Sequence, residues 1–461
     1  MMSTSSIWRL PGVGLTIKAI ERWGGLIFER PRVPELEPVT ETSSLDRFVE
    51  EGVPGLWAGA ACIDITPPDP EGMYVAGFGL DRICTGVRDP LYARCLVLRL
   101  GSVPFVLLSL DLIGLFANRV QRLRSLISRS HPASVWICST HNHQSPDTLG
   151  IWGKSFAGHL PVRSGLDAGY MDFLEGQILS VVEQALEAAR PARLSMAHGE
   201  FDRAGHWVHN ERSQVLDRDM RVLQLDDEAG ASIATVVQHA CHPETLWSDN
   251  TRISADFCSV CCRQVEKRIG GTALYLNGAL GAMVSAAVGD HTPLDVREGL
   301  VDRLGLQLGK AALRLVGRAR RKGAQEPALD IAVTQVVMPI EDNRLYSFLH
   351  ALGIIEGRDL SGGLRTEVGL ARIGSVWLLG LPGEASPELG LELLARLPGD
   401  NKLLLGLAND EIGYLLPPEF FHDPAYAYEQ SMSPGPMAAT RIALGLERLM
   451  DLLGGFLIGK A

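Results

Sequence analysis

The chain has 461 residues, 46% hydrophobic and 21% charged, with 49 glycines and a formal net charge of −11. That length can bury a large core, as one big domain or two ordinary ones. The acidic balance argues against a nucleic-acid partner, which needs clustered Lys and Arg. Eight cysteines in a chain of this size do not make a disulfide scaffold, and they suit a reducing, cytoplasmic compartment.

Residues 1–54 divide into an N-terminal apolar segment and a Pro-rich linker. Segment 7–28 is apolar but broken by Arg9, Pro11, Lys18, Glu21 and Arg22. It reads either as a helix packed on the domain or as an interfacial helix making peripheral membrane contact through Trp8 and Trp23. It lacks the uncharged core and the cleavage site of a signal peptide. No apolar run reaches the roughly 18 residues of a transmembrane helix. Residues 29–54, rich in proline and acid, read as a linker or surface strap.

Residues 55–461 read as one catalytic-sized domain. Apolar runs at 56–65, 92–100 and 103–112 predict strands, and 118–130 has helical spacing. A buried strand follows from Val135 to Cys138, then an amphipathic helix over 170–189. Strands are expected at 192–197, 220–225, 232–240 and 273–276, and helices at 257–266 and 296–317. The Cys258, Cys261 and Cys262 cluster sits on the first of these helices and reads as core, since no second pair completes a zinc knuckle. Further strands at 331–338, 375–380 and 402–407 and helices at 387–397 and 437–453 complete an α/β pattern. A mixed central sheet with flanking helices is the expected architecture.

Four strand ends carry unusual residues. After Val135–Cys138 come Ser139, Thr140, His141, Asn142 and His143, closed by Ser145, Pro146 and Asp147. In an extended chain alternate residues share a face, so His141 and His143 could point into one cleft at the end of a strand. A His-x-His pair is either a metal site or two hydrogen-bonded loop histidines. The second end runs into His242 and Pro243, with Ile253 to Asp256 soon after; the third is Pro382-Gly383-Glu384, and the fourth is Asn409 to Tyr414. Together they offer nitrogen and oxygen ligands for Zn²⁺ with a position left for water.

These blocks resemble, in order, the catalytic domain of the neutral (non-lysosomal) ceramidase family. Gly59 to Pro68 and Gly86 to Arg94 are similar to its N-terminal signature. Ser139 to Pro146 is similar to its Gly-Thr-His-x-His-Ser-Gly-Pro stretch. His242 with Ile253 to Asp256 keeps the family's interval, and Tyr428-Glu429 with Gly435-Pro436 resembles the block that follows Tyr414. The resemblance covers residues 56–445. It implies hydrolysis of the amide of an N-acyl lipid such as ceramide by zinc-activated water. His141, His242, Glu384 and Tyr414 would be the zinc ligands, and His143 would bind or protonate the scissile amide. Arg212 would hold the substrate. Tyr426 or Tyr428, with Tyr426 preferred, would be a second active-site tyrosine. Asp111 and Asp256 would either orient ligand histidines or cap strand ends.

Val284 stands where the family carries a substrate-contacting serine, and Ser285 where a proline is usual. An isopropyl group cannot replace a hydroxyl that recognises a polar group. That departure keeps two alternatives open: another amide or ester substrate on the same zinc site, or an inactive membrane-associated binding protein. The family's C-terminal immunoglobulin-like domain is expected to have no counterpart after Leu453.

Overall fold

The computed structural model describes residues 43–47 and 55–458, apart from 157, 159, 286–290, 325, 340–359 and 361. The expected helix at 7–28 lies outside the described residues. The chain runs through β1 (Ser43–Arg47), β2 (Trp57–Asp64), β3 (Tyr92–Arg99), β4 (Phe105–Leu110), α1 (Ala117–Ser130), β5 (Ser134–Ser139), α2 (Ala168–Glu187), β6 (Arg190–Glu200), β7 (Asp219–Asp227), β8 (Ser232–Gln238), α3 (Asp256–Ile269) and β9 (Thr272–Leu276). It continues through α4 (Leu294–Lys322), β10 (Leu329–Met338), β11 (Leu364–Ile373), β12 (Val376–Gly380), α5 (Pro387–Arg396), β13 (Lys402–Leu405) and α6 (Ala438–Ile458).

Among the described residues an eight-stranded sheet has the order β9-β8-β7-β6-β2-β3-β4-β5. Its β8/β9 and β4/β5 pairs are parallel and the rest antiparallel. A five-stranded sheet has the order β1-β10-β11-β12-β13, with only β12/β13 parallel. The α/β class and the mixed sheet with flanking helices are therefore as the sequence predicts. The stacking of a second sheet on the first was not legible there, and neither was β1, which falls in the stretch read as linker.

Side-chain alternation explains the layering. Every residue of β4 and β5 is buried, as in strands covered on both faces. Trp136 and Cys138 enter the core between the two sheets, beside Ile331, Ala371 and Leu378 of the smaller one. Val135 and Ile137 enter the core under α1 and α2. Helix α1 buries Val120, Leu123 and Ile127, one stripe at helical spacing. Helix α2 is capped by Asp167, whose carboxylate accepts from Tyr170 N at 2.8 Å. Helices α3 and α4 cover the β6–β9 end, and α5 and α6 cover the outer face of the five-stranded sheet. The order is helices, sheet, sheet, helices.

The inter-sheet contact turns on Trp136, which is fully buried. A Cβ placed on Gly369 of β11 would come within 2.5 Å of the Trp136 ring, and one on Gly380 within 3.2 Å. Gly369, with Arg365, Glu367 and Arg372 around it, is also why β11 gave no strand signal in the sequence. Gly369→Ala should destabilise the fold by about 1–3 kcal/mol through overpacking. In a Trp136→Phe background, which vacates the ring edge, the same change should be at most half as harmful. Urea unfolding of the four proteins measures this coupling; additive effects would mean that the contact does not constrain Gly369.

Candidate metal centre

Four strand ends meet at Asn277, the residue after β9. Its Nδ2 donates to Thr140 O at 2.9 Å and to Cys241 O at 2.8 Å, and its Oδ1 accepts from Cys241 N at 3.0 Å. Thr140 and Cys241 immediately precede His141 and His242, so one buried carboxamide fixes both peptides. The Asn277 carbonyl also accepts from Gly406 N at 3.1 Å, just beyond β13.

His141 is not extended. Its φ is +64°, and the chain is held there by Thr140 N to Leu110 O at 2.8 Å and Asn142 N to Leu112 O at 3.0 Å. The Asn142 side chain donates to Ser254 O at 2.6 Å, tying the turn to the segment before α3. The His141 and His143 rings do converge, with centroids 4.8 Å apart. A left-handed turn, not the alternation of a strand, brings them together.

His141 Nδ1 lies 2.9 Å from Ile113 O, and His242 Nδ1 lies 2.9 Å from Met283 O. A carbonyl only accepts, so both Nδ1 atoms carry hydrogen and both Nε2 atoms face inward. There Glu384 Oε2 stands 3.4 Å from His141 Nε2 and 2.9 Å from His242 Nε2. Carbonyl oxygens thus do the orienting for which Asp111 and Asp256 were candidates. Asp111 pairs with Arg94 at 3.2 Å and Tyr92 N at 3.0 Å. Asp256 accepts from Phe257 N at 2.7 Å at the start of α3. Both are caps.

Glu384 is placed by its own backbone, whose N–H donates to Gly413 O at 3.0 Å, and by register with Tyr414 in a short parallel bridge. Gly413 has φ +82°, and a Cβ there would strike Met432 O at 1.8 Å, so only glycine fits. Burial penalises charge on Glu384, but His141 and His242 outweigh it and hold the carboxyl well below the usual range. Burial, reinforced by Glu384, pushes the Tyr414 phenol well up, so it is neutral. Glu411, inside the Asn409–Tyr414 strand end, offers an oxygen to the same cluster: the ligand atoms of His141, Glu384 and Glu411 lie within 4.8 Å of one another.

His143 completes a second grouping, its ligand atom and those of His141 and His242 also lying within 4.8 Å of one another. Both His143 ring nitrogens are buried without a hydrogen-bond partner. Burial, with His141 and His242 beside it, keeps the imidazole neutral. Gly77 lies against it so closely that a Cβ would sit 2.5 Å from Cγ, and Phe78 meets it edge-on at 4.9 Å. Glu244 Oε2 is 3.7 Å from His143 Nδ1, and Glu244 Oε1 is buried with no partner. Burial raises the Glu244 carboxyl to about 8. Only its place directly after His242 and Pro243 could have signalled it.

Arg212 sits on the rim with its Nε 2.6 Å from Glu429 Oε1, and a terminal nitrogen 3.7 Å from Glu211. Tyr426 stacks on Phe420 at 4.3 Å. The ring that faces Tyr414 is that of Tyr428, at 5.8 Å, and burial together with Glu384 raises its phenol. Tyr426, preferred on spacing, is two residues earlier and is buried in the same cluster as Tyr414. Val284 is the backbone partner of both His242 and His209. Ser285 faces elsewhere, its hydroxyl 2.9 Å from that of Thr245.

These donors fit a metal ion. Two imidazoles present Nε2 to a carboxylate, a third has no partner, and all are buried nitrogen or oxygen ligands of the kind that hold transition metals.

The fold is similar to solved ceramidases. The neutral ceramidase from Pseudomonas aeruginosa matches with a TM-score of 0.69 and 17% identity, over 86% of this chain and 74% of that one. A ceramidase complexed with C2 also matches at 0.69 and 17%, over 87% of this chain and 75% of that one. A search of curated proteins finds no match. The family model described as neutral/alkaline non-lysosomal ceramidase, N-terminal, matches residues 57–299, and the chain belongs to that family.

Proposed function

We propose that this protein is a zinc-dependent hydrolase of linear amides, acting on ceramide or a related N-acyl lipid. The observation that carries the proposal is the inward-facing Nε2 pair of His141 and His242 on Glu384, within a chain of the ceramidase family. His141, His242, Glu384 and Tyr414 would hold Zn²⁺. When bound, the ion would supply a water ionised near neutral pH and polarise the scissile carbonyl.

The chain's own groups divide the remaining work. His143, neutral and without a hydrogen-bond partner at either ring nitrogen, is placed to take a proton from the attacking water and pass it to the leaving amine. The hydroxyl of Tyr428, whose ring lies 5.8 Å from that of Tyr414, is a neutral donor suited to an oxygen on which charge develops. Arg212, anchored by Glu429, is a fixed cation at the rim for a polar group of the substrate. Gly77, Phe78 and Trp247 close one wall against water, with Phe78 and Trp247 at 5.4 Å.

Purified protein is expected to bind about one zinc per chain, and chelation should abolish amide hydrolysis until zinc is restored. His141→Ala and His242→Ala should lose metal and activity together. His143→Ala should keep its zinc while kcat falls by about 10²–10⁴. Elemental analysis beside turnover of an N-acyl-sphingosine reads all three. A wild-type protein that binds no zinc ends the proposal, and loss of zinc in His143→Ala would make His143 a ligand instead. Asn277→Leu, which touches no metal, should weaken zinc binding by about 10–100-fold by releasing both histidine-bearing peptides.

The second reading, a different amide or ester on the same site, is favoured by Val284 beside His242. Val284→Ser should raise kcat/KM for N-acyl-sphingosine over a plain N-acyl alkylamine by about two- to tenfold, the worth of one hydrogen bond. If the wild type already turns over N-acyl-sphingosine far better than other amides and esters, the second reading fails.

A further inference from the structure

We infer that the hairpin bearing Lys154, Phe156, Val162 and Arg163 docks the protein on an anionic lipid bilayer surface. Short strands Ser155–Phe156 and Leu160–Pro161 pair antiparallel, with Phe156 opposite Leu160. Val162 N donates to Lys154 O at 2.8 Å and extends the pairing. Position 162 is two beyond 160, so Phe156 and Val162 share a face. Phe156 is 70% exposed and Val162 52%, the two most exposed of the large hydrophobic side chains among the described residues. A bare phenyl ring at a hairpin tip gains nothing from water and gains from an apolar partner.

Charge selects the partner. The whole chain carries −11, yet between Asp147 and Asp167 there is no Asp or Glu, and Lys154 and Arg163 are both exposed. Apolar residues flanked by cations are the pattern of segments that enter the headgroup region of anionic membranes. The nearby acid, Asp81, is engaged by the hairpin itself: it accepts from Ser155 N at 2.9 Å and is also bonded to the Ser155 hydroxyl. Its own N–H donates to Gly153 O at 3.3 Å. Asp81 therefore ties the hairpin to the loop whose Gly77 and Phe78 lie on His143. Ile83, two residues on, is 40% exposed and adds apolar surface. A surface held there puts the His143 wall of the site next to lipid.

The docking reading rests on this patch, and only its benefit to catalysis rests on the function proposed above. The test is co-sedimentation of full-length protein with vesicles of phosphatidylcholine alone or mixed with phosphatidylglycerol. The wild type is expected to partition onto the anionic vesicles and to be released by salt. The Phe156→Ser/Val162→Ser protein should bind at least about tenfold more weakly, and Lys154→Glu/Arg163→Glu about thirtyfold, with unchanged unfolding midpoints. Equal binding by wild type and both variants, or no binding to either vesicle, overturns the inference. So does a dimer in solution that Phe156→Ser dissolves in a protein that ignores vesicles. Anionic-vesicle binding by zinc-loaded protein that hydrolyses no amide would leave the docking surface standing and remove the proposed function. Hydrolysis of dispersed substrate without vesicle binding would do the reverse.

Discussion

The carboxamide of Asn277 is the contact on which the site's geometry depends. It uses both hydrogens of Nδ2 and both lone pairs of Oδ1, the latter on Cys241 N and on Gly278 N at 3.1 Å. No other small side chain offers two donors and two acceptors in one plane. Through it, the ends of β5 and β8 are held to the end of β9, and its carbonyl adds the segment after β13. A buried asparagine with its polar atoms satisfied adds rigidity without leaving an orphaned group. The histidines inherit that rigidity because each is bonded to the very peptide being held.

The two sheets are joined at the same place. Asn409 exchanges hydrogen bonds with Ile137, its N–H donating to Ile137 O at 2.7 Å and its Oδ1 accepting from Ile137 N at 2.8 Å. The segment after β13 thus behaves as a short extra edge on β5. Glu384 and Tyr414, which belong to the smaller sheet's connections, are carried by this link to the histidines of the larger one. Stacking of sheets around Trp136 and assembly of the site are therefore one event, and a shift between the layers would separate the carboxylate from the imidazoles.

Most elements were legible because their patterns are local. The buried run Val135 to Cys138 and the stripe of α1 announce their own burial. What was not legible depends on partners distant in the chain. β11 has a mid-strand glycine that makes sense only against Trp136, and β1 is a strand only because β10 offers it an edge. In the site, His141, His242, Glu384 and Tyr414 could be singled out because strand ends and resemblance coincide on them; the structure sets Glu384 against both imidazoles, with Tyr414 beside Glu384 in backbone register. Tyr426 and Tyr428 both pack in the cluster around Tyr414, and spacing along the chain does not say which ring meets it. Spacing counts residues, but the 3-10 turn at Pro424–Tyr426 and the helix Ala427–Ser431 rotate the chain, so it is Tyr428 that turns toward Tyr414.

Glu244 shows why the chemistry of this site is easier to read than its selectivity. Coordination restricts ligands to a few residue types in fixed geometry, so a histidine or glutamate at a strand end stands out in any chain. Recognition of substrate is made by whatever lines the wall, and any residue can line a wall. Val284 is a backbone bridge partner of His242, and Glu244 lies 3.7 Å from His143 with its Oε1 buried and without a partner. Residues such as Val284 and Glu244 carry no such signature, because nothing in their type or spacing marks the neighbours that the fold gives them.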